Sequence, residues 1–338
     1  MKVAVIGAGG WGTALSILLA RKGYRVALWA RRSEFIEELA REGENRPYLP
    51  GVQLPSGVEP VSELTLAMEG ASCVVLCPPS QAMGEVCRRL APHLPSSLRA
   101  LVSASKGLET STLLRLSQVM TRELPPVFHS RIAVLSGPNF SHEVARGLPA
   151  ATVVASPDAA LASAVQDIFM TDRFRVYTTT DVVGVEMGGA LKNVIAIGVG
   201  IAEGLGLGHN ARAALITRGL AEIRRLGVAV GARAATFTGL SGLGDLVLTC
   251  TGLYSRNRKA GQELGSGRSL EEVTRETPMV IEGVPTTQAA YRLSRLLGVS
   301  MPITEEIFAV LFEGRPPREA VNRLMTRERT RELEFEQG

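Results

Sequence analysis

The chain has 338 residues, of which 45% are hydrophobic, and this length and composition suit two globular domains with substantial cores. Its formal net charge of +4 comes from a basic set that is almost entirely arginine, because only five of its 37 basic residues are lysines. Nucleic-acid binding would need a basic tract interleaved with aromatic residues, and a membrane span would need about 18 consecutive apolar residues; neither pattern occurs, so we expect neither partner.

The N-terminus passes from a short apolar run directly into glycines, without the longer apolar region and cleavage site of a secretory signal. We therefore expect a cytoplasmic protein. The cysteines lack paired C-x-x-C spacing and lie mostly in apolar runs, at Cys73, Cys77, Cys87 and Cys250. Such placement favours reduced core thiols over disulfides, and we expect no metal site.

Short apolar runs separated by helical stretches fill the first half of the chain. They predict strands at Lys2–Ile6, Arg25–Trp29, Cys73–Cys77, Ala100–Ser103, Ile132–Leu135, Thr152–Ala155 and Phe174–Tyr177. Several of these runs are apolar throughout rather than alternating, which is typical of strands covered by helices on both faces. The rhythm predicts a doubly wound, mostly parallel α/β sheet over residues 1–180.

Gly7, Gly9 and Gly12 form a G-x-G-x-x-G motif between the first predicted strand and a helix predicted at Thr13–Arg21. In this context the first glycine permits the tight turn, the second lets the backbone approach a pyrophosphate, and the third allows close helix–strand packing. Free backbone N–H groups at the helix start bind the anion. The motif indicates an N-terminal Rossmann domain that binds a dinucleotide, and hence an NAD(P)-dependent dehydrogenase.

The end of the second predicted strand bears on the choice of cofactor. NAD-binding units usually carry an acid about 20 residues after the glycines, to bind the ribose 2′-hydroxyl. Here Arg31 and Arg32 occupy that place, and the nearest acid, Glu34, comes later. Two guanidinium groups suit a 2′-phosphate, so we expect NADP(H) to be favoured with NAD(H) possible. The alternative is that both arginines only cover a solvated surface.

Three later strands end in polar or proline-bearing turns, at 77–80, 103–107 and 136–141. Ligands of open α/β sheets bind beyond the carboxyl ends of the strands, so these turns should border the nicotinamide and the substrate. Lys106 lies in the second turn and is a candidate to contact an anionic or carbonyl group. An ordinary solvated loop lysine is the alternative.

Beyond about Thr180 helical patterns dominate, and we expect an all-helical substrate and catalytic domain over 181–338. Helices are predicted at Val185–Ile201, Ala211–Val228 and Thr286–Leu297, and the last dozen residues suggest an exposed or frayed helix. The small residues of Val194–Gly200 could pack against a second subunit or equally well within a monomer, so a homodimer is possible but undetermined.

Lys192 lies in an otherwise apolar predicted helix. A buried ammonium is costly unless it is paired, and burial lowers its pKa towards the range that is useful for general acid–base catalysis. Asp245 lies in a glycine-rich turn and is the natural partner. The alternatives are a lysine at a helix edge that extends to solvent and a plain N-capping aspartate.

A dense set of hydroxyl, guanidinium and amide groups follows at Ser255, Arg256 and Asn257. Such groups suit the oxygens of a phosphate, although a charged helix face would have the same composition.

Taken together, these residues resemble the bacterial-type NAD(P)-dependent glycerol-3-phosphate dehydrogenases over nearly the whole chain. The matching motifs are Gly7-x-Gly-x-Trp11-Gly12-Thr13-Ala14, Asn45 through Tyr48-Leu49-Pro50-Gly51, Ser105-Lys106-Gly107, Ser136-Gly137-Pro138, Leu191-Lys192-Asn193, Gly244-Asp245, Ser255-Arg256-Asn257 and Val280-Ile281-Glu282-Gly283. The resemblance implies reversible reduction of dihydroxyacetone phosphate to sn-glycerol 3-phosphate, which supplies the backbone of glycerophospholipids.

The resemblance also implies roles for individual residues. The catalytic set is Lys192, Asp245 and Lys106, with Lys192 as proton donor and acceptor. The cofactor would contact Gly10, Trp11, Arg31, Arg32, Tyr48, Lys106, Ser141, Arg256, Val280 and Glu282, in addition to Gly7, Gly9 and Gly12 of the glycine motif. The substrate would contact Lys106, Gly137, Asn139, Lys192, Asp245, Ser255, Arg256 and Asn257. Beyond the resemblance, we expect Asn193 to orient Lys192 together with Asp245 and to border the substrate. The family often has alanine where this chain has Ser141, which matters little if the backbone makes that contact.

Two other functions stay open from the sequence. Another two-domain hydroxyacid or opine-type dehydrogenase would share the Rossmann half and the helical half but would act on a carboxylate without phosphate. A non-catalytic NAD(P)-sensing regulator would bind the cofactor without turnover, and it would leave Lys192 and Asp245 unexplained.

Overall fold

The computed structural model describes residues 1–277, 279–329, 331 and 332. One eight-stranded sheet contains β1 Lys2–Ile6, β2 Arg25–Trp29, β3 Val58–Val61, β4 Ala71–Leu76, β5 Ala100–Ser103, β6 Ile132–Ser136, β7 Ala150–Ala155 and β8 Phe174–Thr179. The strands lie in the order β3-β2-β1-β4-β5-β6-β7-β8, and neighbours are parallel except for β6 and β7. The predicted mostly parallel α/β sheet is confirmed.

Strand β3 is the one that the sequence patterns did not predict. It is four residues long and contains Pro60, and proline in a short run argues against a strand because it cannot donate to the hydrogen-bond ladder. The strand is tolerated because it lies at the edge of the sheet, where it pairs with β2 on one side.

Helices cover both faces of this sheet. They are α1 Gly10–Arg21, α2 Ser33–Glu42, α3 Leu64–Met68, α4 Met83–Leu90, α5 Leu116–Glu123, α6 Ser141–Ala145 and α7 Ala159–Phe169. Alternate residues of β1 belong to two different cores: Val3 and Val5 pack on the side of α1, whereas Ala4 and Ile6 pack on the side of α3 and α4. Both faces of the strand are therefore buried, which explains its continuous apolar sequence.

The second half of the chain is helical, as predicted. Its helices are α8 Val182–Gly204, α9 Gly208–Ala229, α10 Asp245–Thr251, α11 Arg256–Gly265, α12 Leu270–Arg275, α13 Gly283–Leu297, α14 Pro302–Phe312 and α15 Pro317–Met325. Asp181 begins α8 as its N-cap, and its carboxylate accepts the N–H of Gly184 at 2.9 Å. The last strand of the sheet thus ends two residues before this cap.

Helix α8 forms the core of the helical domain, and its small residues let neighbouring helices pack closely against it. A Cβ atom on Gly200 would lie 2.0 Å from the carbonyl oxygen of Arg258, so only glycine lets α11 pack this closely. The helix is long and apolar enough to cross a membrane, but 89% of its most apolar stretch is buried within the protein. Residues 194–200 are all buried there, so they are not accessible for the subunit contact considered above.

The end of the chain departs from its prediction. Helix α15 stops at Met325, and the described residues beyond it, 326–329, 331 and 332, are not helical. The predicted exposed helix is therefore wrong for these positions, and the rest of that prediction lies outside the described residues. Residues 327–332 are almost all charged, with no apolar side chain among them to pack a helix against the domain.

Candidate active site

The glycine turn after β1 has the shape of a phosphate cradle. Gly7 has a φ of +115°, and a Cβ atom on it would lie 2.8 Å from the carbonyl carbon and oxygen of Cys77 at the end of β4. A Cβ atom on Gly12 would lie 1.9 Å from the carbonyl oxygen of Gly7, whereas one on Gly9 would meet no atom within 4 Å. Gly7 and Gly12 therefore close the turn, and Gly9 leaves one side of it open.

The start of α1 has the character of an anion site. Helix α1 begins at Gly10, three residues before its predicted start, and it has neither a side-chain N-cap nor an acidic residue in its first turn. Its first N–H groups are therefore left for an external acceptor. The indole N–H of Trp11 is buried without a hydrogen-bond partner in the described part of the chain, and it is a second donor beside the turn.

Residues 45–48 support this turn from outside. Asn45 is fully buried, and its amide donates to the carbonyl oxygen of Ala8 at 2.9 Å and to the hydroxyl of Thr13 at 2.7 Å. The carbonyl oxygen of Tyr48 lies so close to Gly10 that a Cβ atom there would be 2.7 Å from it. The Asn45 to Tyr48 motif thus fixes the position of the phosphate cradle.

Arg31 and Arg32 are exposed at the carboxyl end of β2. The guanidinium of Arg32 lies 3.2 Å from the hydroxyl of Tyr48 and 5.3 Å from the centre of the Phe35 ring. These contacts hold Arg32 beside the open edge of the cradle, and Glu34 lies farther along in the first turn of α2. The two arginines provide an exposed cationic surface at the place where an NAD-binding unit usually has a carboxylate.

Two lysines from different halves of the chain meet at one carboxylate. Lys192, on α8, donates to one oxygen of Asp245 at 2.7 Å, and Lys106, after β5, donates to the other at 2.5 Å. Lys192 also donates to the hydroxyl of Thr249 at 2.6 Å. We call these four residues the lysine cluster. Asp245 is 1% exposed and Lys192 is 7% exposed, so the charges are largely removed from water.

The surroundings of Lys192 change its acidity. Burial of the ammonium lowers the pKa of Lys192 to about 8, the carboxylate of Asp245 opposes this shift, and the positive charge of Lys106 adds to it. Near neutral pH the group is therefore a proton donor that can also be deprotonated at moderate cost. An arginine in the same place would stay protonated.

The sheet fixes Lys106 by way of the turns at its carboxyl edge. The ammonium of Lys106 donates to the carbonyl oxygen of Gly137 at 2.9 Å, in the turn after β6. In the same turn, the amide nitrogen of Asn139 donates to the carbonyl oxygens of Pro138 and Ala151, each at 2.9 Å. The amide oxygen of Asn139 is buried and has no partner among the described residues, so it can accept a hydrogen bond from a ligand.

The residues proposed to bind the substrate phosphate differ in whether their side chains already have partners within the protein. Ser255 is the N-cap of α11, and its hydroxyl accepts the N–H of Arg258 at 3.2 Å. The amide nitrogen of Asn257 donates to the side-chain oxygen of Asn193 at 2.8 Å, so both side chains already have partners. Arg256 is exposed, and its guanidinium donates to the carbonyl oxygen of Val280 at 2.8 Å. Of these residues, Arg256 has the cation best placed for an incoming anion.

Two further cofactor candidates come from different domains. Ser141 begins α6, and its hydroxyl oxygen would lie 3.3 Å from a Cβ atom on Gly10, so it borders the cradle. Glu282 comes from the helical domain, and its carboxylate accepts both the N–H of Ser80 at 2.9 Å and its hydroxyl at 2.5 Å. The Glu282 carboxylate thus contacts the Rossmann domain directly.

The sequence patterns did not point to two members of this site. Thr249 lies four residues after Asp245, on the same face of α10, a spacing that brings the side chains together on a helix. Ser80 lies in the first strand-end turn, which was expected to border the ligand, but nothing in the sequence pairs it with Glu282.

Models of one family match both halves of the chain. The description "NAD-dependent glycerol-3-phosphate dehydrogenase N-terminus" matches residues 2–162, and "NAD-dependent glycerol-3-phosphate dehydrogenase C-terminus" matches residues 181–322. A "Glycerol-3-phosphate dehydrogenase [NAD(P)+]" of Moorella thermoacetica is 55% identical over 332 residues, which cover 98% of each chain.

Solved structures agree in fold. A glycerol-3-phosphate dehydrogenase from Coxiella burnetii is 39% identical with a TM-score of 0.92, and the match covers 96% of this chain and 99% of that one. A ketopantoate reductase from Ralstonia eutropha covers 95% of this chain and 100% of its own with a TM-score of 0.61, but at 17% identity it shares the fold alone. The resemblance seen in the sequence is confirmed: this oxidoreductase belongs to the NAD-dependent glycerol-3-phosphate dehydrogenase family.

Proposed function

We propose that this enzyme reversibly reduces dihydroxyacetone phosphate to sn-glycerol 3-phosphate, with NADP(H) as the favoured cofactor. The observation that carries the proposal is the lysine cluster, in which ammonium groups from both domains share the buried carboxylate of Asp245. Such a cluster offers positive charge and a transferable proton where the strand-end turns meet the helical domain. Family membership and the names of the relatives supply the substrate.

The residues of the cradle fit a dinucleotide. The open side at Gly9, the uncapped start of α1 and the unpartnered indole N–H of Trp11 all suit a pyrophosphate. When bound, the reduced nicotinamide supplies the hydride for C2 of the ketone. The chain's own part is to bind and orient both reactants and to move the proton.

Arg31 and Arg32 would bind the ribose 2′-phosphate, since no carboxylate stands at the end of β2 to bind a 2′-hydroxyl. Tyr48 would assist by holding Arg32 in place, as its hydroxyl lies 3.2 Å away. Ser141 beside the cradle, and Arg256, Val280 and Glu282 from the helical domain, would complete the site, as the family resemblance implies.

In the direction of reduction, Lys192 would give a proton to the oxygen that gains negative charge at C2. Its ammonium is held by Asp245 and Thr249, so the proton comes from a fixed place. Lys106 would stabilise the same developing charge, and Asn139 would accept a hydrogen bond from a substrate hydroxyl. In the reverse direction the neutral amine of Lys192 would take the proton from C2–OH.

The substrate phosphate would bind to Arg256, with Ser255 and Asn257 fixing the start of α11 beneath it. Contacts to the phosphate lie away from the reacting carbon, and binding energy from such remote groups positions the carbonyl. Asn193 would border this pocket through its bond to Asn257.

Three further expectations stay predictions: that the enzyme supplies the backbone of glycerophospholipids, that it is cytoplasmic, and that it forms a homodimer.

Steady-state kinetics test this proposal directly. NADPH oxidation is measured with dihydroxyacetone phosphate, pyruvate and ketopantoate, and the first substrate is repeated with NADH. We expect turnover with dihydroxyacetone phosphate and a higher kcat/KM with NADPH than with NADH. Preference for an unphosphorylated keto acid would overturn the substrate assignment, and cofactor binding without any turnover would favour a sensing protein.

A further inference from the structure

Ser80 and Glu282 join the two domains beside the lysine cluster. Ser80 lies in the turn after β4 and is 1% exposed, and it donates both its N–H and its hydroxyl to the Glu282 carboxylate, which immediately precedes α13. A hydrogen bond to a carboxylate is stronger than one between neutral groups, and burial shields this one from water. The contact is therefore a firm point of attachment between the domains.

On the side of the sheet, this contact fixes the segment that carries Lys106. Gly107 follows Lys106 with a φ of +149°, and a Cβ atom there would lie 2.5 Å from the Cβ of Ser80 and 3.3 Å from a carboxylate oxygen of Glu282. Gln81 donates to the carbonyl oxygen of Leu108 at 2.7 Å. The backbone that follows Lys106 is thus packed against the Ser80 turn.

On the helical side, hydrogen bonds link Gly283, the residue after Glu282, to Asn193, the residue after Lys192. The N–H of Gly283 donates to the side-chain oxygen of Asn257 at 2.8 Å, and the amide nitrogen of Asn257 donates to Asn193 at 2.8 Å. Asn193 is the residue next to Lys192 on α8. The position of Glu282 is therefore coupled to the helix that carries the second lysine.

We propose that Ser80 is a positioning residue, which fixes Glu282 across the domain boundary and thereby holds Lys106 and Lys192 together at Asp245. Ser80 contacts neither lysine, so it acts through Gly107 on one side and through Glu282, Asn257 and Asn193 on the other. The catalytic importance of this role rests on the proposed function, whereas the effect on the lysine pair is independent of substrate.

Loss of the Ser80 hydroxyl should change the pKa of Lys192 in a defined direction. The groups that face its ammonium are Asp245, Thr249 and Cys250 from α10 and Lys106 from the Rossmann domain. The first three share a helix and stay in place, while Lys106 comes from across the boundary and is the one released. Withdrawal of its positive charge and entry of water both favour the protonated form, so the pKa of Lys192 should rise from about 8 towards 10.5.

Nuclear magnetic resonance can follow this titration in the full chain without substrate or cofactor. The chain has only five lysines, so the ε-carbon signals of a ¹³C-lysine-labelled protein can be assigned by single lysine substitutions. In Ser80→Ala we expect the Lys192 signal to titrate higher than in the unaltered protein by roughly half a pH unit or more. The Lys259 signal, from an exposed lysine outside the cluster, should not move.

The matched control is Ser117→Ala. Ser117 also donates its N–H and its hydroxyl to one carboxylate across the domain boundary, that of Glu186, at 2.7 and 2.6 Å. The bond removed is of the same kind, and its carboxylate lies on α8, the helix that carries Lys192. It does not lead to Gly107, so the variant loosens the attachment of α8 without releasing Lys106. We expect the Lys192 titration to stay unchanged in this variant.

Kinetics add a second measurement, since kcat for dihydroxyacetone phosphate should fall roughly tenfold in Ser80→Ala with KM little changed. Glu282→Gln and the double variant Ser80→Ala/Glu282→Gln complete a double-mutant cycle. The effects of the two single substitutions on kcat should not add in the double variant, because both remove the same contact. An unshifted Lys192 titration in Ser80→Ala, or an equal shift in Ser117→Ala, would overturn the positioning role. If the unaltered protein fails to reduce dihydroxyacetone phosphate while the shift is present, the proposed function fails and the positioning role stands.

Discussion

At the scale of single residues, the chemistry depends on Lys192 and on what surrounds it. Its ammonium is held by Asp245 and Thr249 within one buried cluster, and burial brings its pKa close to physiological pH. A general acid works best when its pKa lies near the pH of operation. Lys106 adds a second charge from the other domain, so the two lysines have different parts in the same site.

Lys192→Met tests the proton-transfer role because it removes the ammonium and keeps an unbranched side chain of similar length. We expect kcat for dihydroxyacetone phosphate to fall by roughly 10²–10⁴-fold, the usual contribution of a positioned acid. The measurement is NADPH oxidation under saturating substrate. The control is Lys259→Met, at an exposed position, and turnover close to that control would contradict the role.

The pH dependence should have opposite signs in the two directions. Reduction needs protonated Lys192, so its kcat/KM, which reports groups of the free enzyme, should decline as the pH rises through about 8. Oxidation of sn-glycerol 3-phosphate needs the neutral amine, so its kcat/KM should rise through the same range. Both profiles are recorded between pH 6 and pH 10, at constant ionic strength. Parallel profiles in the two directions would exclude Lys192 as the shared acid and base.

At the scale of elements, the carboxyl end of β2 should select the cofactor. In Arg31→Ala and Arg32→Ala, kcat/KM for NADPH should fall by about tenfold or more, while that for NADH changes little, because only the 2′-phosphate needs a guanidinium partner. Arg41→Ala, on the exposed surface of α2, serves as the control. A similar loss with both cofactors would show that these arginines support the local fold instead.

The packing of α8 against α11 should be intolerant of even one methyl group. Gly200→Ala would place a Cβ atom 2.0 Å from a backbone oxygen, and such overpacking costs about 1–3 kcal/mol of unfolding free energy or more. Chemical denaturation measures this loss. Ala213→Ser, on the exposed side of α9, also adds one atom but should change the stability by only about 0.5 kcal/mol or less; an equal loss in both would refute the close-packing explanation.

At the scale of the whole molecule, Arg115 and Glu186 connect the domains through α8, in a contact separate from the lysine cluster. Their side chains meet at 2.5 Å and are 16% and 5% exposed. Glu186→Gln should destabilise the protein by roughly 3 kcal/mol, since it leaves the guanidinium without its countercharge, and calorimetry should show a lower or split transition. Glu271→Gln breaks an exposed pair and should have almost no effect. Indistinguishable melting of the two variants would contradict this role.

Local sequence patterns predict much of this architecture. The sheet, the helical second domain and the uncapped glycine turn each follow from short-range rules of periodicity and turn chemistry. The pairing of Lys192 with Asp245 spans 53 residues, and it was predicted because a buried ammonium needs a carboxylate partner. Strand β3 was missed because Pro60 argues against a strand unless its edge position is known. The Ser80 to Glu282 bond spans 202 residues and depends on how two domains meet, which no local spacing encodes. Thr249 lay within reach of a local rule, because it is four residues from Asp245.

The shared carboxylate of Asp245 has a consequence for charge balance. With both ammonium groups protonated, the cluster holds two positive charges against one negative charge and carries a surplus of one. When Lys192 gives up its proton, Lys106 and Asp245 remain as a neutral pair, so the step ends in the state that a buried site tolerates best. Reprotonation from solvent restores the surplus before the next anionic substrate binds. The positively charged cluster therefore attracts the anionic substrate when it binds, and the cluster has no net charge to attract it after proton transfer.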